Sequence, residues 1–77
     1  MSSENFNAKL IYMANQIATF FQSQPEDEAA AGVATHINKY WEPRMRRKLF
    51  EHIEQGGEGL KPLVLEAASK IRRPEAA

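Results

Sequence analysis

The sequence predicts an all-α fold, either a small four-helix bundle or a compact orthogonal helical array. Three observations carry that expectation. Apolar residues recur at helical spacing through four successive stretches. Each stretch is bounded by proline or by a glycine cluster. The joints between them are only a few residues long, which favours antiparallel neighbours. Residues 1–77 are read as one helical domain whose ends fray over about 1–4 and 74–77.

The first helix is expected to start near Ser3 or Asn5 and run to about Ser23. Phe6, Leu10, Met13, Ala14, Ile17, Phe20 and Phe21 fall on one face, with Ile11 toward the far side and Tyr12 further still. Ser23 and Glu26 have the spacing of a capping box, Pro25 suits a first turn, and Glu26, Asp27 and Glu28 complement the positive end of a helix dipole. A second helix would align Ala30, Val33, Ala34, Ile37, Tyr40 and Trp41, its early alanines allowing close approach of another helix. Gly32 falls on the opposite face, where it costs about 1 kcal/mol relative to alanine unless a partner backbone packs there.

Pro43 disfavours the α conformation of Glu42 but fits the first position of a new helix, so a bend is expected at Glu42. A third helix to about Gln55 would turn Met45, Leu49, Phe50 and Ile53 inward, with His52 near Met45. Arg44, Arg47 and Lys48 gather on the outer side near Glu51, while Arg46 lays its stem on apolar surface with the guanidinium at the edge. Gly56, Gly57 and Gly59 end that helix. Pro62 opens a fourth, burying Leu60, Leu63, Val64, Ala67, Ala68 and Ile71, leaving Leu65 outside and stopping at Arg73 and Pro74.

Composition excludes several classes. The 77 residues contain no cysteine, which removes a thiol nucleophile, a thiolate zinc site and iron-sulfur ligation by this chain and fits a reducing cytoplasm. A chain this short has marginal stability on its own. The opening Met-Ser-Ser-Glu-Asn lacks a basic cluster, so no signal peptide is expected, and no apolar run approaches the roughly 20 residues of a membrane span. The formal net charge is zero but unevenly placed. From His36 to Phe50 the five bases Lys39, Arg44, Arg46, Arg47 and Lys48 oppose only Glu42, and the flanking segments are acidic.

No catalytic constellation emerges. His36 and His52 fall on different helices and outside any ligand or triad pattern, and His36 one turn before Tyr40 suits a packed edge histidine. The glycine cluster lacks the lysine and serine or threonine of a phosphate loop. Glu26, Asp27 and Glu28 lack the alternating oxygen ligands of an EF-hand. The basic group with Trp41 has three readings: a solvated face with the indole in the core, a protein contact built from residue types common at hot spots, and a nucleic-acid contact. Zero total charge weakens the last, since it supplies no long-range cationic field.

Trp41-Glu42-Pro43-Arg44-Met45-Arg46, with His36 upstream, resembles the signature of the delta subunit of the cytoplasmic, molybdenum-containing, NAD-dependent formate dehydrogenases. Lys9-Leu10-Ile11 with Met13 to Ala18 and Phe20-Phe21, then Pro25-Glu26 and Ala31 to Ala34, then Gly56-Gly57, Gly59-Leu60, Pro62 to Val64 and Glu66-Ala67 extend the resemblance over roughly residues 9 to 72. It implies a non-catalytic accessory subunit that supports assembly or stability of the active enzyme. Molybdenum cofactor, iron-sulfur clusters, FMN and NAD would lie in other subunits, with none bound by this chain. The expected partner is the large molybdenum-containing subunit. The docking residues expected on this chain are Trp41, Pro43, Arg44, Met45, Arg46, Arg47, Lys48 and His36, with Ile11 and Leu65 available for self-association. An independent nucleic-acid-binding module using residues 44–48 is the alternative.

Overall fold

The computed structural model describes the backbone of residues 3–74 and the side chains of residues 6–74; the tail expected to fray at Glu75 to Ala77 lies outside the described residues. Four α-helices follow in order, α1 (Ser3–Phe21), α2 (Glu26–Tyr40), α3 (Pro43–Glu54) and α4 (Pro62–Ala67), the last continued by a 3₁₀ turn, Ala68–Lys70. The radius of gyration, 11.7 Å, matches the ~11.5 Å of a compact chain of this length. The array centres on α1 and α2, since α1 packs against α2, α3 and α4, and α2 against α4 and the 3₁₀ turn.

Small residues set the central contact. Ala14 and Ala18 of α1 are fully buried, as are Val33 and Ile37 of α2, with Ala30 and Ala34 buried beside them. On the α1 side the two alanines add little volume, which favours close approach of α2. That approach rolls α1 toward Ala18, so two expectations from the apolar stripe are corrected. Phe20, placed inside from its spacing, is 74% exposed. Ile11, placed outside, packs against the core beside Gly59. On α2 the same stripe ends at Trp41, and Tyr40 stands outside it.

Gly32 is also corrected. A Cβ built on it would lie 2.5 Å from the Phe21 ring, so a side chain there must displace an aromatic ring of α1 rather than meet a partner backbone. The α1–α2 joint differs from the expected capping box as well. Pro25 is the N-cap, no side chain caps the helix, and Ala29 N–H donates to Pro25 O at 2.8 Å. A proline has no donor of its own to satisfy, which removes the need for a reciprocal box there.

The glycine cluster behaves as local chemistry predicts. Gly57 N–H donates to His52 O and Gly56 N–H to Ile53 O, the paired bonds of a Schellman ending, with Gly56, Gly57 and Gly59 all at positive φ. The final helix is shorter than expected because side chains, rather than further helical turns, hold its flanks. Asn15 Nδ2 donates to Gly59 O (2.8 Å) and its Oδ1 accepts from Lys61 N–H (2.9 Å). Asn38 does the same at the other end, on Lys70 O (3.2 Å) and Arg72 N–H (2.6 Å). Each carboxamide brackets one buried residue, Leu60 or Ile71, so both ends of α4 are pegged into the α1–α2 pair.

Candidate functional site

The α2–α3 corner begins with two extended residues, Trp41 (ψ 133°) and Glu42 (ψ 156°), and Pro43 then starts α3 at its first position. The expected bend at Glu42 is present. Its tightness aims the Trp41 carbonyl back toward α3. Arg46 meets it there, donating from Nη1 to Trp41 O at 2.7 Å and from Nε to Arg72 O at 2.9 Å. The guanidinium expected at the edge is therefore inside, and Arg46 is 8% exposed. It terminates α2 and fixes the strand-like exit of the chain after the 3₁₀ turn, two carbonyls that helical bonding leaves unpaired. Trp41 is 4% exposed and belongs to the same core cluster as Leu49 and Phe50.

With those two residues inside, the outward-facing cations are Arg44 and Arg47, both exposed, and Lys48, half-buried and 3.7 Å from Glu51. Arg44 stacks over Phe6 at 5.4 Å, so its head is held near the α1 start. Pro43 is exposed, and Met45 is half-buried against the core. A further cation, expected only as the stop of the fourth helix, joins the neighbourhood. Arg73 lies over Phe50 at 4.3 Å and pairs with Glu54 at 3.0 Å, which neutralises it locally. His52 points to the glycine turn, 2.6 Å from Glu58 O. Among the described residues no three histidine, aspartate or glutamate side chains gather as a metal-holding group.

His36 is not part of that corner. It packs on Tyr40 with ring centroids 4.8 Å apart, as its spacing suggested, and lines two adjoining hollows of about 390 and 420 Å³ between α1 and α2. Phe21, Gly32, Thr35, Lys39 and Tyr40 line one, and Gln16, Ile17, Phe20 and Phe21 the other. This aromatic groove was missed because Phe20 and Tyr40 were assigned to the core. Their place at the border of each apolar stripe is the signal that could have shown it.

No helix of the described residues is long and apolar enough to cross a membrane. The family model described as NADH-dependent formate dehydrogenase delta subunit, FdsD, matches residues 9–68, which takes in α2, α3, the glycine turn and α4. No curated protein gives a significant match.

Proposed function

The chain belongs to the NADH-dependent formate dehydrogenase delta subunit family, and on that premise we propose that it is a non-catalytic accessory subunit. In this reading it acts in the cytoplasm by protein contact, supporting assembly or stability of the active molybdoenzyme. Its partner is the large molybdenum-containing subunit. The other subunits hold the molybdenum cofactor, iron-sulfur clusters, FMN and the NAD site, and no residue of this chain is given a role toward those groups.

The observation that carries the docking assignment is the division of the arginines on α3. Arg46 is inside and bonded to two backbone carbonyls, while Arg44 and Arg47 project from the short helix that it anchors. Arg44, held over Phe6, loses less side-chain freedom on binding than a mobile arginine would, and the planar forks of both suit carboxylates on a partner. Pro43, Met45 and Lys48 border the contact. Trp41 and Arg46 enter the proposal by fixing the shape of that surface from beneath. His36 lies apart, in the α1–α2 groove.

The test is capture of the large subunit by a tagged chain co-expressed with the formate dehydrogenase subunits. Arg44→Glu with Arg47→Glu should retain wild-type helicity by circular dichroism and lose at least about tenfold in captured large subunit, a change worth about 1.4 kcal/mol. Undiminished capture would move the contact elsewhere. Normal formate oxidation in cells lacking the chain would remove the accessory role itself.

A further inference from the structure

The α1–α2 groove carries an aromatic surface that the delta-subunit reading leaves unused. Phe20 is 74% and Tyr40 63% exposed, and the hollows between them are lined mainly by carbon. Apolar surface of this kind rimmed by polar groups marks an interaction site. The charges at its border identify what fits there.

Along the outward side of α2, Glu28, Gly32, Thr35 and Lys39 follow at steps of four, three and four, with Ala31 beside Gly32, so they form one stripe. An acid stands at one end, a base at the other, and small residues between. Glu28 and Lys39 are eleven residues apart, about 16 Å along the axis. Turned end for end, the stripe matches itself: Glu28 comes opposite Lys39, and Gly32 opposite Thr35. The pattern is thus self-complementary under a twofold axis passing between Val33 and Ala34, the relation required of an interface between identical chains.

We propose that the α1–α2 face pairs with a second copy of this chain, the two α2 helices antiparallel and each Glu28 meeting Lys39 of the other copy. Ala31 and Thr35 leave room at the crossing, where the Phe21 ring that covers Gly32 becomes part of the contact. Phe20 and Tyr40 of both copies then close over the sides. Lys39 is already steered toward that rim, its ammonium 5.5 Å from the Tyr40 ring centroid. Phe6, the ring beneath Arg44, lies fourteen residues from Phe20 on α1, about 21 Å away. Pairing therefore leaves the basic corner of α3 free, and the inference stands independently of the docking role proposed for it.

Sedimentation equilibrium of the purified full-length chain tests this. The wild type should form a dimer, and Glu28→Lys or Lys39→Glu should each weaken it about tenfold at low salt, because either change sets like charges opposite each other twice. An equimolar mixture of the two variants should recover association to within about threefold, since a mixed pair restores both opposite-charge contacts. Both positions are solvent-exposed, and circular dichroism should show unchanged helicity. A chain that stays monomeric up to millimolar concentration overturns the proposal. So does a dimer indifferent to both reversals, or one that the mixture fails to restore. If the monomer's groove becomes protected from hydrogen exchange only in the assembled formate dehydrogenase, the face belongs to a different subunit and the self-pairing is wrong.

Discussion

Arg46 shows how one side chain can decide the geometry of a small helical chain. A guanidinium has several donors in a planar fork, and here two of them reach carbonyls 31 residues apart in sequence, at Trp41 and Arg72. Hydrogen bonds from a charged donor contribute about 1.5–3 kcal/mol, and losing them leaves Trp41 O unpaired in the interior. Arg46→Met should therefore cost on the order of 2–4 kcal/mol, lowering Tm by at least roughly 10 °C in a chain of this size. Arg46→Lys should fall between that variant and the wild type, because a compact ammonium on a flexible stem does not reproduce the fork. Thermal melting by circular dichroism reads both, and a lysine variant as stable as the wild type would show that bridging two carbonyls is not what Arg46 contributes. The sequence placed its stem on apolar surface from helical spacing. The second acceptor was not legible, since Arg72 lies 26 residues further on and no local pattern links the two.

Whole elements were legible where their limits depend on local chemistry. Pro43 starts α3, and the glycines end it through backbone conformations that other residues adopt poorly. The faces of α1 and α2 were less legible, because helical spacing fixes which residues share a side but not how far the helix rolls on its neighbour. The buried alanines decided that roll, putting Ala18 inside and Phe20 outside. Likewise, polar side chains curtail the last helix, with Asn15 and Asn38 bonding backbone on either side of it. Gly32 gives the packing a sharp test. Glycine to alanine within a helix ordinarily stabilises by about 1 kcal/mol. Here the added methyl meets Phe21 ring atoms at 2.5 and 2.6 Å, and overpacking of that kind costs about 1–3 kcal/mol. Gly32→Ala should thus be neutral to destabilising by about 2 kcal/mol, and in a Phe21→Ala background it should become stabilising. Denaturant unfolding of the four species forms a double-mutant cycle. Equal effects of Gly32→Ala in both backgrounds would disprove the contact as the reason for glycine.

For the molecule as a whole, small size makes stability sensitive to anything that binds the folded chain. A chain of 77 residues buries a modest share of its surface, and its core relies on alanines where a larger protein would use longer side chains. A partner that binds only the folded chain adds stability as RT ln(1 + [L]/Kd), about 2.7 kcal/mol at a hundredfold excess over Kd. At about 4–8 °C per kcal/mol, the delta chain mixed with the purified large subunit should melt roughly 10–20 °C higher than alone. A fluorine-labelled Trp41, buried in this chain's own core, reports that transition by NMR apart from the partner's unfolding. Arg44→Glu with Arg47→Glu should melt close to the wild type when free, since both side chains are exposed, yet gain little from the partner. That combination would separate the two jobs proposed for the basic corner, with Arg46 setting the free melting temperature and its neighbours the shift. A double variant that keeps the full shift would show that the large subunit grips another face.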